Sequence, residues 1–322
     1  MFPQTRLRRG RRTEGLRRLA AEVRLAADDL ILPVFAVEGT AREEPVTTLP
    51  GVVRLSVDLL AERAGDLHVG AVMVFGVPEQ AQKDADGSAA WAEGGIVPSA
   101  VRALKAARPD LTVITDVCLC AYTSHGHCGT LSTDGEVSND ASLAHLSRMA
   151  VAHASAGADM VAPSAMMDGQ VAGIRNALDD ASHTETGIMS YSSKFASAFY
   201  GPFREAARSA PGAGDRRSHQ LPPANRREAI RESLLDLQEG ADWLMVKPAL
   251  PYLDVVHELR QTVGAPIAAY QVSGEYAMLK AVAGNGMEER AVAMETLLCI
   301  KRAGADAIIT YYAEEALRWL QE

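Results

Sequence analysis

Eight short apolar segments rich in β-branched residues recur along the whole chain, and each is separated from the next by room for a helix. Such continuous apolar runs are typical of parallel strands that are buried on both faces. The simplest architecture for eight of them is an α/β fold of the TIM-barrel type, (β/α)₈. A doubly wound open sheet is the alternative, but no GxGxxG fingerprint follows the first strand. The predicted strands are residues 29–37, 71–77, 111–119, 158–166, 188–196, 241–249, 265–273 and 305–313.

Three of these strands are introduced by the same triplet, Gly-Ala-Asp, at 157–159, 240–242 and 304–306. We interpret the glycine as the end of a helix and the triplet as a weak internal repeat of βα units. No linker divides the chain, so we expect one catalytic barrel domain over residues 29–322. It is preceded by an N-terminal extended arm, residues 1–28. Helical spacing of apolar residues predicts helices at 55–65, 97–109, 140–157, 225–240, 252–264 and 289–304.

The predicted arm is strongly basic. Its first 24 residues carry a formal charge of +6, whereas the remainder of the chain carries −15. Because the body is so acidic, nucleic acid is not expected as a partner, and docking of the arm onto an acidic neighbouring subunit is favoured. No apolar run approaches the ~20 residues of a membrane span. Four cysteines without a signal peptide indicate reduced thiols and a cytoplasmic location.

Polar side chains stand where the predicted strands end. Barrel enzymes carry their chemistry at the carboxyl ends of the strands and in the loops that follow, so these side chains are expected to converge on one mouth. They are Asp116, Cys118 and Cys120 on the third strand, Ser164 on the fourth, Lys194 on the fifth, Lys247 on the sixth, Gln271 and Ser273 on the seventh and Tyr311 on the eighth.

Two of these strand-end residues are lysines in a chain that has 26 arginines and only six lysines. A lysine amine can lose its proton when it is desolvated, and only the neutral amine attacks a carbonyl to form a Schiff base. If Lys194 and Lys247 face one cavity, burial and mutual repulsion lower the pKa of at least one of them. The pair therefore predicts imine chemistry.

Three thiols, Cys118, Cys120 and Cys128, are spaced C-x-C-x₇-C. Cys118 and Cys120 are expected on the same side of a strand, and the loop can return Cys128 to them. Three thiolates suit Zn²⁺ and leave a fourth position open, as in catalytic zinc sites. The alternative is three reduced cysteines packed as small apolar groups. His125 or His127 could be a further ligand or an outer partner, and the sequence does not choose.

The segment between the fifth and sixth strands, residues 200–223, is long and rich in glycine and proline. We call it the lid segment, since long loops over a barrel mouth commonly close it. Its arginines could pair with a carboxylate or a phosphate, while its aromatic residues exclude water. The residues concerned are Tyr200, Phe203, Arg204, Arg216, Arg217 and Gln220.

Eight motifs in order make the chain from about residue 29 onward closely resemble the porphobilinogen synthase family, also called δ-aminolevulinic acid dehydratase. They are DVCLCAYTSHGHCG, APSAMMDGQVAGIR, YSSKFASAFYGPFREAA, GDRRSHQLPP, NRREAIRES, MVKPALPYLD, YQVSGEYAM and IITYY. The resemblance implies that two molecules of 5-aminolevulinate condense to porphobilinogen with loss of two waters, in tetrapyrrole and heme biosynthesis.

The same resemblance implies roles for individual residues. Lys247 forms the Schiff base at the site of the first substrate, called the P site, and Lys194 does the same or assists at the second, called the A site. The A-site carboxylate is held by Arg204, Arg216 and Gln220, and the P-site carboxylate by Ser273 and Tyr311. Asp116 and Ser164 lie near the P-site amine, and Tyr191 and Tyr270 line the pocket.

The resemblance also implies metals and an assembly. Cys118, Cys120 and Cys128 place the chain in the zinc-using branch. Some of its relatives have a further cysteine where this chain has Ser218, so a second zinc is not expected. Glu232 matches a glutamate that binds an activating, allosteric Mg²⁺ at a subunit contact. The family's arm wraps a neighbouring barrel, and the assembly is typically a homo-octamer that exchanges with smaller forms.

Two other functions are compatible with parts of the sequence. A Schiff-base barrel such as a class I aldolase or dehydratase acting on a keto acid explains Lys247, but not Lys194 or the thiols. A catalytically silent zinc protein, or an assembly that binds nucleic acid through its arm, explains the thiols or the arginines, but not the pair of lysines.

Overall fold

A computed structural model describes residues 3–212, 214–283 and 285–322. Eight parallel strands form a closed ring in which the first pairs with the last, Leu30 lying opposite Ile308. This closure confirms the predicted TIM barrel and excludes the doubly wound sheet. The barrel strands are β1 (Leu30–Val37), β4 (Ala71–Val77), β5 (Thr112–Val117), β6 (Met160–Pro163), β7 (Gly187–Lys194), β8 (Trp243–Lys247), β9 (Ile267–Gln271) and β10 (Ala307–Thr310).

Two further strands were not predicted. They are β2 (Glu43–Pro45) and β3 (Val53–Ser56), which pair antiparallel as a hairpin. Strand β3 also runs parallel to the carboxyl end of β1, with Arg54 opposite Phe35. The hairpin is therefore anchored to the barrel on the side where its mouth lies.

Helices cover the outside of the ring and shield the apolar outer face of each strand from water. All six predicted helices are present, and others between the strands were missed. The helices are α1 (Glu14–Leu19), α2 (Val57–Ala64), α3 (Ile96–Ala107), α4 (Asn139–Ser155), α5 (Gln170–Asp180), α6 (Gly201–Ala206), α7 (Arg226–Glu239), α8 (Leu253–Thr262), α9 (Ser273–Val282), α10 (Glu289–Ala303) and α11 (Ala313–Gln321).

The Gly-Ala-Asp triplets have a common structural basis. Their glycines lie in the left-handed region, with φ between +102° and +126°, where other residues are strained. Each aspartate then accepts a hydrogen bond of 2.7–2.8 Å from a backbone N–H near the start of the preceding barrel strand. The repeat thus ends a helix and aligns two neighbouring strands. The pairs are Asp159 with Val113, Asp242 with Ile188 and Asp306 with Ile267.

The first residues of the chain form a short 3₁₀ turn, Leu7–Arg11, followed by α1, and neither element has a buried residue. Leu7 and Leu19 are 78% and 82% exposed. The hydroxyl of Thr13 caps α1 by accepting from the Leu16 N–H at 3.3 Å. Among the described residues, no helix is both long and apolar enough to cross a membrane.

Candidate active site

One nearly closed cavity lies at the carboxyl end of the barrel strands. Most of the candidate site residues named in the sequence analysis line it, and they come from the ends of four strands and from the lid segment. They are Asp116, Cys118, Cys120, Ser164, Lys194, Tyr200, Phe203, Arg204, Arg216, Gln220 and Lys247. We call this space the mouth cavity.

Lys247 ends β8 and is only 5% exposed. Its Nζ lies 4.4 Å from the ring centroid of Tyr270, 4.9 Å from that of Tyr191 and 5.0 Å from that of Phe203. Burial among these rings, and after it the charge of the nearby Lys194, lower the pKa of Lys247 to about 7, whereas the Asp116 carboxylate opposes the shift. A large fraction of this amine is therefore neutral near pH 7.

Lys194 ends β7 directly beside Lys247, its partner in the strand register. It is 6% exposed, and its Nζ donates a hydrogen bond to the carbonyl of Ser164. The same Nζ lies 5.5 Å from the Tyr191 centroid. The two lysines therefore share one aromatic wall of the mouth cavity.

Asp116, near the end of β5, lines the mouth cavity together with this pair of amines. Burial raises its pKa to about 6, and the attraction of Lys194 and Lys247 limits the rise. A carboxyl group with such a pKa can both take up and release a proton near neutral pH.

The three thiols that the sequence predicts as metal ligands, Cys118, Cys120 and Cys128, lie together in the structure. Their sulfur atoms lie within 4.8 Å of one another, and all three residues are buried and unbridged. Three thiolates about 2.3 Å from one Zn²⁺ would stand ~3.8 Å apart, so a slight contraction of the cluster suffices. The thiols hydrogen-bond one another, which raises the pKa of Cys118 and lowers that of Cys128. The residues thus fit a zinc ion.

The backbone conformation at Cys120 differs from the prediction. Strand β5 ends at Val117, and Cys120 lies in a 3₁₀ turn, Leu119–Ala121, rather than in the strand. The turn, and not strand alternation, brings Cys120 beside Cys118. Neither loop histidine belongs to the thiol group within the described residues, and the His125 ring instead lies 3.1 Å from the Ala85 carbonyl.

Three buried donors of the lid segment line the mouth cavity and have no partner among the described residues. They are Nε of Arg204, Nε of Arg216 and Nε2 of Gln220. The Arg216 side chain is fixed by bonds from Nη2 to the carbonyls of Gly126 and Ser209, at 2.9 and 2.5 Å. Because buried donors are rarely left unpaired, three of them beside one cavity indicate an anionic ligand.

Ser273 and Tyr311 lie apart from these donors. Ser273 Oγ accepts a hydrogen bond from the Phe203 N–H at 3.0 Å and donates one to the Phe199 carbonyl at 3.3 Å. The backbone at the start of the lid segment and just before it therefore holds this hydroxyl. The Tyr311 hydroxyl lies 3.4 Å from that of Tyr270. The structure thus brings Tyr311 to the aromatic wall, but it places Ser273 under the lid backbone rather than free in the mouth cavity.

Glu232 lies on α7 in a separate, acidic cavity with Asp168, Glu228 and Asp236. Burial raises the pKa of Glu232, and the charge of Asp168 adds to this. Over the described part of the chain, the thiols are the one group of three or more His, Cys, Asp or Glu ligand atoms close enough to share an ion. The described residues therefore do not place two further ligand atoms beside Glu232.

Glu275 is a buried residue of the site that the sequence reading missed. Its carboxylate accepts from the backbone N–H of Leu250 and of Val272, both at 2.6 Å, and of Ala249 at 3.3 Å. Burial raises the pKa of Glu275 to about 7, and these backbone bonds oppose the rise. Glu275 therefore fixes the turn that directly follows Lys247. The available signal was a glutamate in the first turn of a helix that begins SGE.

Comparison with known proteins agrees with this geometry. The sequence model of the family described as delta-aminolevulinic acid dehydratase matches residues 4–319. The chain is 52% identical to the delta-aminolevulinic acid dehydratase of Synechocystis, with both chains covered completely. It is also 52% identical to that of Escherichia coli, over 96% of this chain and 95% of the other.

A solved structure shows the same fold. It is the delta-aminolevulinic acid dehydratase (porphobilinogen synthase) of Toxoplasma gondii in complex with the reaction product porphobilinogen. The TM-score is 0.95 at 44% identity, and the match covers 98% of this chain and 92% of the other.

Proposed function

The chain belongs to the delta-aminolevulinic acid dehydratase family, and from this premise we propose how its own residues convert two molecules of 5-aminolevulinate into porphobilinogen and two waters. The reaction needs two ketones held side by side and an amine to activate them. The observation that carries the proposal is the pair of buried lysines at adjacent strand ends, of which Lys247 has a pKa of about 7.

In the first step, the neutral amine of Lys247 attacks the ketone carbon of one substrate and forms a carbinolamine. Loss of water then gives a protonated Schiff base, which is an electron sink for removal of a proton from the adjacent carbon. In this proposal Asp116 moves protons at Lys247, since a carboxyl group with a pKa of about 6 can take up and release a proton near neutral pH. The rings of Tyr191, Phe203 and Tyr270 exclude water from the imine.

The second substrate is held beside Lys194. Arg204, Arg216 and Gln220 present unpaired buried donors, which fit its carboxylate. Lys194 forms a second Schiff base there or assists the transfer of protons. Fixing both substrates makes the condensation effectively intramolecular, which removes much of its entropic barrier.

We assign the carboxylate of the first substrate to Ser273 and Tyr311, and its amine to the neighbourhood of Ser164. In this arrangement the Ser273 hydroxyl must exchange its bonds to the lid backbone for a bond to the carboxylate. The backbone at Phe199 and at the lid residue Phe203 therefore moves when substrate binds, while Tyr200 keeps its 2.7 Å hydrogen bond to the Phe195 carbonyl.

The thiols of Cys118, Cys120 and Cys128 would hold Zn²⁺, which when bound supplies a Lewis acid at the second-substrate site. Glu232 would contribute to an activating, allosteric Mg²⁺ site, completed by water or by a neighbouring subunit. The basic arm, residues 1–28, docks on a neighbouring acidic barrel, residues 29–322, in a homo-octamer. The exposure of Leu7 and Leu19 supports that docking. The free thiols agree with a cytoplasmic enzyme.

The direct test is formation of porphobilinogen from 5-aminolevulinate by the zinc-loaded protein. Lys247→Met is expected to abolish it. Lys105→Met is the matched control, since Lys105 is a partly buried lysine bonded to Asp159 at the opposite end of the barrel. If the folded, zinc-loaded wild type forms no porphobilinogen, or if Lys247→Met retains full activity, the proposed function is wrong.

A further inference from the structure

The lid helix α6 carries two of the residues that close the mouth cavity. Phe203 places its ring 5.0 Å from the Lys247 Nζ, and Arg204 presents an unpaired buried donor. Because α6 has only six residues, its own backbone bonds hold it weakly. Contacts with the rest of the chain must therefore fix its position.

The end of α6 has an unusual residue. Arg208 adopts the left-handed conformation, with φ of +47°, where glycine is strongly preferred. The Arg208 N–H donates to the Glu205 carbonyl at 3.2 Å, and the Ser209 N–H to the Arg204 carbonyl at 3.1 Å. Glycine would adopt this backbone conformation without strain, so we look for stabilising contacts of the Arg208 side chain that glycine could not make.

That side chain reaches the β2–β3 hairpin. Arg208 Nη2 lies 2.9 Å from the carboxylate of Glu44, and Nη1 lies 3.5 Å from that of Glu79. Glu44 also contacts Arg42 and Arg54. Three guanidinium groups therefore surround one carboxylate that is only 20% exposed.

Arg54 completes the connection from the other side. It lies directly opposite Glu44 in the hairpin and is 7% exposed. Its Nε donates to the Ala206 carbonyl at 2.6 Å and its Nη2 to the Glu205 carbonyl at 2.7 Å. These are the last two carbonyls of α6, which lie beyond the reach of the N–H groups within α6, and the Glu205 carbonyl also accepts the Arg208 N–H. Charged donors make such bonds strong.

We propose that Glu44, Arg54 and Arg208 form a latch that positions the lid helix over Lys247, and that they are positioning residues for the reaction. We call them the hairpin latch. Strand β3 pairs with β1, so the latch ties α6 to the rigid barrel. The inference rests on the proposed function for its consequence in catalysis, but the latch itself can be tested without substrate.

The test uses Arg208→Gly, which relieves the left-handed strain and removes the side chain from the latch. Ser182→Gly is the matched control. Ser182 also adopts the left-handed conformation, with φ of +65°, and ends α5 with the same pair of backbone bonds at the opposite end of the barrel. Both variants are expected to unfold at or above the wild-type temperature. Neither should lose its fold.

The two variants should differ at the lid. In Arg208→Gly the backbone amides of residues 201–212 should exchange hydrogen faster than in wild type, and KM for 5-aminolevulinate should rise about three- to ten-fold with a smaller change in kcat. Ser182→Gly should leave both at wild-type values. Glu44→Gln should also raise KM, and adding Arg208→Gly to Glu44→Gln should raise it little further, because the loss of the Glu44 charge already weakens the Arg208–Glu44 pair.

The outcomes separate the latch from the proposed function. Unchanged exchange of residues 201–212 together with an unchanged KM in Arg208→Gly overturns the latch. A wild-type protein without turnover refutes the function, while the exchange measurement still tests the latch. Faster exchange in Arg208→Gly but not in Ser182→Gly supports the latch in either case.

Discussion

Replacing Lys194 by methionine should raise the pKa of Lys247. Burial is the largest cause of the low pKa of Lys247, and the Lys194 charge is the next. Both Nζ atoms lie within 5.5 Å of the Tyr191 ring centroid, so they are at most about 10 Å apart. Two like charges at that separation repel by about 1.6 kcal/mol at an effective dielectric constant of 20, which is about one pKa unit.

The consequence for reactivity follows from the neutral fraction of the amine. With a pKa of about 7, about half of Lys247 is neutral at pH 7, against about one part in 2,500 for an ordinary lysine. In Lys194→Met the neutral fraction at pH 7 should fall to about one tenth. Burial persists in this variant, so the pKa of Lys247 should stay well below 10.5.

The assay is competitive labelling of lysines with trace acetic anhydride across pH, with the Lys247 peptide quantified by mass spectrometry. Asp116→Asn provides a test of opposite sign, because the Asp116 carboxylate raises the pKa of Lys247. The midpoint for Lys247 should rise in Lys194→Met and fall in Asp116→Asn. An unchanged or lower midpoint in Lys194→Met would refute the electrostatic reasoning.

Three further changes probe other parts of the structure. Burial lowers the pKa of His153 from its ordinary value of about 6.5 to about 3, so between these pH values the unfolded chain binds a proton that the folded chain does not. The free energy of unfolding therefore decreases by about 1.4 kcal/mol for each unit by which the pH is lowered in this range. His153→Leu should raise the urea midpoint relative to wild type at pH 4, and an equal loss of stability in both proteins on acidification would contradict this. Glu275→Gln replaces one of two acceptor oxygens by an NH₂ donor that faces backbone N–H groups. This change should lower the free energy of unfolding in urea by about 1–3 kcal/mol and should also lower kcat. Wild-type values of both quantities would exclude the role of Glu275. Cys128→Ser should lower the zinc content measured by atomic emission while leaving the circular dichroism unchanged, and full retention of zinc would remove Cys128 from the ligand set.

The barrel and the location of its mouth could be predicted because both depend on local pattern. A buried parallel strand is typically a continuous apolar run in the sequence, and Lys247 interrupts such a run at its end. Parallel strands of a closed barrel deliver their ends to one rim, so no knowledge of side-chain contacts was needed. The structural role of the Gly-Ala-Asp triplets could be predicted for the same reason, since the glycine of each ends a helix and the residues after it lead into a strand.

The hairpin latch, and the bonds of Glu275 to Ala249 and Leu250, could not be predicted because they are contacts between distant parts of the chain. Arg54 bonds to carbonyls 151 and 152 residues away. The two hairpin strands have only three and four residues, which is too short for a periodic pattern to be recognised in the sequence. Cys120 was assigned to the right cluster for the wrong local reason, because a 3₁₀ turn rather than an extended strand brings it beside Cys118.

The most direct test of the central claim is reduction with borohydride in the presence of 5-aminolevulinate, followed by peptide mass spectrometry. We expect a covalent adduct on the peptide that contains Lys247, formed in wild type and in Lys105→Met and absent from this peptide in Lys247→Met. Adduct confined to other lysines, with Lys247 unmodified in active wild-type protein, would contradict the assignment of Lys247 as the amine that forms the Schiff base.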